Sequence, residues 1–296
     1  MNRNVPELSG LFEGDYRSLA RIISMVENEH PLSSHILLSL KPDYGIPVIG
    51  ITGPPGAGKS TLVNALLEQL SLSGKGTAVL AIDPSSPFNK GSLLGDRIRM
   101  GKQFNDPNIF IRSMASRGAL GGLSEKALEI TDVLRSAPFD VILIETVGVG
   151  QSEIDIIGLA DQTIVVLVPE SGDEIQHVKS GLMEIADVFV VNKADREGAD
   201  LFASKLSKML KQKDVEIPVF KTIADQSIGV NKLYGFLFSR LNSQNQLNID
   251  LLIDKAWRLI QQKRMKSIDK RSLKKLLTEQ SQLDGFNLYG FVEKYY

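Results

Sequence analysis

The sequence contains no cysteine. That excludes disulfide scaffolds, thiolate zinc or iron–sulfur centres, and cysteine nucleophiles. Histidine is nearly as scarce: His30, His35 and His177 are the only three, scattered along the chain. Net charge is also missing, with 34 Lys+Arg facing 35 Asp+Glu. A protein that grips nucleic acid by bulk electrostatics is therefore excluded. No apolar run approaches the ~20 residues of a membrane span, and Met1–Ala20 holds no uninterrupted apolar stretch of the secretory kind. A cytoplasmic protein, bound to neither membrane nor nucleic acid, is expected. What remains is ordinary globular composition, 43% hydrophobic and 23% charged over 296 residues. At ~150 residues per domain this allows two domains, or one large α/β domain with helical flanks.

The middle of the chain alternates two patterns. Short apolar, β-branched runs occur at Pro47–Thr52, Thr77–Ile82, Ile109–Arg112, Val141–Ile144, Thr163–Val168, Val188–Val191 and Pro218–Lys221. Between them lie stretches of helical period, such as Thr61–Leu72 and Asp200–Leu210. Runs like VILIE and TIVVLV lack polar alternation, as strands buried on both faces do. The expectation is an α/β fold with a mostly parallel sheet of about seven strands. Three segments follow: an N-terminal helical extension over 1–44, the α/β domain over 45–243, and a C-terminal helical extension over 244–296. In the first, Leu19, Ile22, Ile23 and Val26 share a stripe. In the last, Ile253, Trp257 and Ile260 are spaced i, i+4, i+7, and Asp269 is placed to cap a second helix bearing Leu273, Leu276 and Leu277. That tail reads equally as helices packed on the parent domain or as an oligomerisation arm.

Four motifs carry chemistry. Gly53-Pro54-Pro55-Gly56-Ala57-Gly58-Lys59-Ser60-Thr61 matches G-x-x-x-x-G-K-[ST], with a strand entering and an amphipathic helix leaving. Glycines let such a backbone wrap phosphate oxygens, while amides and a helix N-terminus supply positive potential. Lys59 reaches β/γ-phosphates and Ser60 ligates Mg²⁺ in this pattern. Asn192-Lys193-Ala194-Asp195 follows the strand run DVFVV. A carboxylate there accepts from the N1–H and 2-amino groups of guanine, a donor pair that adenine lacks, so the two motifs together favour GTP over ATP. Glu145-Thr146-Val147-Gly148 ends VILIE, placing a carboxylate for the metal and a glycine amide for the γ-phosphate. A carboxylate at the end of a buried strand is otherwise costly. Finally, Asp83 ends another strand run, and Gly95-Asp96-Arg97-Ile98-Arg99 follows. Ligands of open α/β sheets sit outside the carboxyl ends of the strands, so Asp83, Asp96 and Glu145 can converge near one metal. For Asp96 and Arg99, a surface salt bridge is the competing reading.

Taken together, GPPGAGKSTL, DPSSP, GDRIRM, IRSMASRGALGGL, ETVGVGQSE and SGDEIQHVKSGLMEIADVFVVNKAD resemble the methylmalonyl-CoA mutase-associated GTPases (MeaB/ArgK-like), once labelled as lysine/arginine/ornithine transport kinases. The likeness runs from Glu13-Gly14-Asp15 to about residue 240. It implies a P-loop fold and a slow GTPase that acts as a homodimeric chaperone of an adenosylcobalamin-dependent acyl-CoA mutase, gating cofactor loading or protection. It also implies phosphate contacts from Gly56, Ala57, Gly58, Lys59, Ser60 and Thr61. Ser60, Asp83, Asp96 and Glu145 surround Mg²⁺ in this reading, and Arg99 lies on a first switch. Asn192, Lys193 and Asp195 hold guanine, aided by the Ala224 amide, although the loop Thr222-Ile223-Ala224-Asp225 lacks the Ser-Ala common in GTPases. Lys59, Glu145, Arg99 and Asp96 take the catalytic roles. Gly148 and Gln151 belong to a second switch, and Asp173 and Lys179, within Pro169–Gly181, to a third that relays nucleotide state to the mutase. For Lys179 the competing reading is a solvated position on a surface helix, Glu174–Ile185. No D-x-H-x-x-G cobalamin motif occurs, so the cobalamin belongs to the partner.

The alternatives are a metallochaperone-type GTPase, which the absence of Cys disfavours, and a nucleotide-dependent scaffold that does not hydrolyse.

Overall fold

The structure is a computed structural model, which describes residues 8–83, 103–115, 126–146, 156–169, 181–212, 216–241, 249–265, 268–282 and 286–293. The chain divides into two compact units, 1–248 and 249–296.

In the first unit seven strands form one sheet: β1 (Val48–Thr52), β2 (Thr77–Asp83), β3 (Ile109–Ala115), β4 (Val141–Glu145), β5 (Gln162–Leu167), β6 (Val188–Val191) and β7 (Val219–Lys221). Their order is β3-β2-β4-β1-β5-β6-β7, and every pairing is parallel. The sheet is thus wholly parallel where a mostly parallel one was expected. β3 also runs past the expected Arg112 to Ala115, because its last residues keep register with β2 as far as Asp83↔Ala115.

The apolar runs are continuous because both faces are covered. Ile142 and Ile144 of β4 join Val165, Leu167, Phe189 and Val191 on one face. Val141 and Leu143 join Ile49, Ile51, Ile164 and Val166 on the other. The side-chain period of two sends successive residues into opposite cores. Helices α4 (Lys59–Leu72) and α7 (Val230–Leu241) supply Leu62, Leu66, Leu233 and Leu237 to the second core. Helices α5 (Lys126–Arg135) and α6 (Ala199–Gln212) serve the first.

The N-terminal segment forms α1 (Ser9–Phe12), α2 (Tyr16–Glu27) and α3 (Ser33–Ser39). Asp15 caps α2 by accepting from the amides of Arg17 and Ser18 at 3.2 and 2.9 Å. The expected stripe Leu19, Ile22, Ile23 and Val26 is buried in the first core. Tyr16 packs against Phe110 and Phe139, with ring centroids 5.4 and 6.1 Å away. Further along α2, Glu27 accepts from the Arg112 guanidinium of β3 at 2.7 Å.

The second unit holds α8 (Ile249–Met265), α9 (Lys270–Gln280) and α10 (Leu288–Val292). Asp269 caps α9 as expected, accepting from the Ser272 amide at 2.9 Å. On α8, Ile253, Trp257 and Ile260 are 59%, 63% and 50% exposed. No helix among the described residues is long and apolar enough to cross a membrane.

Candidate functional site

β1 lies at the centre of the sheet, and the strand order departs in both directions from it. Ligand crevices of open α/β sheets form at such a point, beyond the strand carboxyl ends. The loop 53–58 leaves β1 there and turns into α4. Gly53 adopts φ +136°, and a Cβ on it would meet the Val166 carbonyl oxygen at 2.1 Å. Gly58, the left-handed residue that opens α4, would put a Cβ 2.3 Å from the Asn192 side-chain Nδ2. Both positions require glycine, so the motif spacing is set by packing as well as by ligand approach.

Lys59 is 6% exposed. Its ammonium donates to the carbonyls of Gly53 and Pro54 at 2.8 and 3.0 Å, which holds a positive charge against the loop. Ser60 begins the next step of α4, and its hydroxyl donates to Glu145 Oε1 at 2.6 Å. Glu145 is itself 6% exposed at the end of β4. A buried carboxylate facing a hydroxyl is an all-oxygen donor pair, the kind that suits Mg²⁺. Gly56 and Thr61 are exposed and Ala57 is buried.

The loop expected to read the base, 192–195, is fastened to the loop 53–58. Asn192, 1% exposed, donates from Nδ2 to the Ala57 carbonyl at 3.0 Å. Its Oδ1 accepts from the Thr222 hydroxyl at 3.0 Å and from the Ala224 amide at 3.1 Å. Lys193 takes φ +55° and donates from Nζ to the Gly56 carbonyl at 2.8 Å. Asp195 stands exposed at the rim. The ends of β1, β6 and β7 are thereby locked into one cradle. Thr222 was not singled out from the sequence; its place beside Ala224, one residue after β7, was the available signal. The Ala224 amide, expected at the base, is engaged here by Asn192.

Of the other expected site residues, Asp83 ends β2. Ala81 is in register with Glu145, so the Asp83 backbone lies two residues further along the neighbouring strand. Asp96, Arg99, Gly148, Gln151, Asp173 and Lys179 lie outside the described residues, as does most of Glu174–Ile185. Among the described residues, no group of three or more His, Asp or Glu is gathered to hold a metal.

The family model of the methylmalonyl Co-A mutase-associated GTPase MeaB matches residues 19–275. The chain belongs to the MeaB family. A Pyrococcus horikoshii relative that carries a GTPase name is 47% identical over 232 residues, 76% of this chain and 73% of its own. GTPase ArgK of Escherichia coli is 42% identical over 62% of this chain and 57% of its own. The mouse methylmalonic aciduria type A homolog, mitochondrial, is 38% identical over 63% of this chain and 49% of its own. Among solved structures, that of an LAO/AO transport system kinase superposes with TM-score 0.64 at 23% identity, covering 94% of this chain and 92% of the other. HypB from Helicobacter pylori in complex with nickel reaches 0.50 at 18% identity, covering 76% and 98%. At these identities the structural likeness speaks for the fold alone. The sequence relatives carry the activity: this MeaB-family chain is a P-loop GTPase.

Proposed function

We propose that GTP binding and hydrolysis by this chain serve an adenosylcobalamin-dependent acyl-CoA mutase of the methylmalonyl-CoA type. Nucleotide state would gate the loading or protection of that enzyme's cofactor, making the chain a chaperone. The observation that carries this reading is the match to a mutase-associated family over residues 19–275. The mouse relative's name, methylmalonic aciduria type A homolog, points the same way. We place the protein in the cytoplasm.

In the proposed mechanism, amides of residues 56–61 cradle the phosphates. The Lys59 ammonium moves from the Gly53 and Pro54 carbonyls toward the β/γ oxygens, where it offsets charge developing during transfer. Ser60 and Glu145, 2.6 Å apart, would hold Mg²⁺, with Asp83 and Asp96 proposed as further carboxylates for it. When bound, that ion would supply neutralisation of phosphate charge. Asp195 pairs with guanine, while Asn192 and Lys193 brace the loop and Ala224 lines it. Arg99, Gly148, Gln151, Asp173 and Lys179 belong to segments that sense the γ-phosphate and report to the mutase. In this reading unassisted turnover is slow and the partner raises it.

The exposed stripe Ile253, Trp257 and Ile260 on α8 is the proposed seam of a homodimer; Trp257→Ser should convert a sedimenting dimer to monomer. The mutase reading is tested by single-turnover GTP hydrolysis with and without an adenosylcobalamin-dependent methylmalonyl-CoA mutase. Stimulation of at least about tenfold is expected, as partner-assisted GTPases show, and Lys179→Ala should bind GTP normally yet lose it. An unchanged rate with every such mutase of the source cell contradicts the reading.

A further inference from the structure

Directly beneath the phosphate cradle, two threonines face each other. Thr52 is the last residue of β1 and Thr146 the first after β4; they are 0% and 1% exposed. The Thr146 hydroxyl donates to the Thr52 hydroxyl at 2.9 Å, and the Thr146 amide donates to the Ile51 carbonyl at 3.0 Å. One residue beyond Thr52 is Gly53, whose carbonyl receives Lys59. One residue before Thr146 is Glu145, which receives Ser60.

Both strands are otherwise apolar up to these points, reading VIGI and VILI before the polar ends. Valine has the β-branch and nearly the volume of threonine, so packing alone calls for a valine pair. Burying two hydroxyls instead brings a desolvation cost that their mutual bond only offsets. What the bond adds is distance. Facing methyl groups rest ~3.5–4.0 Å apart, about 1 Å further than the hydroxyl pair.

We infer that Thr52 and Thr146 are positioning residues for GTP hydrolysis. Their hydroxyl bond draws together the roots of the phosphate loop and of the Glu145 segment, setting the approach of Glu145 to Ser60 and hence the oxygen pair offered to the metal. The inference rests on the GTPase assignment, and the test separates the two.

The experiment compares Thr146→Val, Thr146→Ser and the double variant Thr52→Val/Thr146→Val in the full chain. It reads melting temperature, single-turnover GTP hydrolysis, and the tightening of fluorescent GDP binding by Mg²⁺. Thr146→Val strands the Thr52 hydroxyl from this partner and lowers the melting temperature; the double variant, with both groups apolar, recovers to within about 2 °C of wild type. Hydrolysis nevertheless stays about tenfold down in both, and the Mg²⁺ effect on GDP weakens. Thr146→Ser, which keeps the hydroxyl, stays within about twofold of wild type on both functional readouts. A double variant with wild-type hydrolysis and wild-type Mg²⁺ response overturns the inference. If it does not fold, a Thr146→Val variant that matches Thr146→Ser in both readouts overturns it equally. A wild-type chain that does not turn over GTP defeats the enzyme assignment instead, and the Mg²⁺ response of GDP binding still decides the role of the pair.

Discussion

The two helical extensions carry the same sequence signal and meet different fates. In α2, Leu19, Ile22, Ile23 and Val26 recur at helical spacing and are 0–1% exposed, sealed into the sheet's first core. In α8, Ile253, Trp257 and Ile260 recur as regularly and stand 59%, 63% and 50% exposed. Amphipathic period specifies a helix and an apolar face; it does not specify what covers that face. The burial of α2 comes with further anchors. α2 has the Tyr16 ring against Phe110 and Phe139, and Glu27 paired with Arg112. The N-terminal extension is therefore part of the GTPase unit, while α8 belongs to a unit of its own.

That contrast can be broken most forcefully at matched positions. Ile23→Ala should cost about 2–5 kcal/mol of unfolding free energy, as buried Ile truncations do. Trp257→Ala should stay within ~0.5 kcal/mol for dilute chain, as exposed substitutions do. Denaturant titration measures both, and comparable losses would show that α8 is packed as tightly as α2.

A smaller effect is expected at the charged anchor. Arg112→Met leaves the Glu27 carboxylate without its guanidinium. Removing one partner of a fully buried pair costs about 3–5 kcal/mol. Here the side chains retain 18% and 11% exposure, so about 2 kcal/mol is expected. A neutral Arg112→Met would mean that the aromatic contacts alone hold α2.

The smallest effect concerns the cap. Hydrogen bonds from the Ser18 hydroxyl, the Ser18 amide and the Arg17 amide hold the Asp15 carboxyl below its ordinary value of 3.8. A lowered folded-state pKa adds stability above the unfolded value, lost as pH falls through the folded one. Asp15→Ala should therefore lower the melting temperature slightly at neutral pH, and its difference from wild type should shrink below about pH 3.8. A difference independent of pH would assign the loss to helix propensity, not to the charged cap.

Much of this was legible in the chain itself. All seven strands were readable because burial on both faces leaves unbroken apolar runs, and β3 was underestimated because Arg112 interrupts its run. The partner of Arg112 lies 85 residues away, beyond the reach of any local pattern. The loop 53–58 and Asn192–Asp195 stand out in sequence by their fixed spacing, and the structure joins them through Asn192 and Lys193. Thr52 and Thr146 were not, since their bond spans 94 residues and each alone reads as an ordinary strand end. Thr222 escaped for a similar reason: its role exists only once β6 and β7 are neighbours.

We propose that this cradle, with Asn192 and Lys193 fastened to the phosphate loop and Asp195 at its rim, selects guanine. Calorimetric titration of the full chain with GTP and with ATP, in Mg²⁺, tests it most directly, alongside Asp195→Asn. GTP should bind at least about a hundredfold more tightly than ATP, the discrimination expected when a carboxylate meets a two-donor edge, with Asp195→Asn weakening GTP and favouring xanthosine triphosphate. Equal affinity of the wild-type chain for ATP and GTP would contradict it.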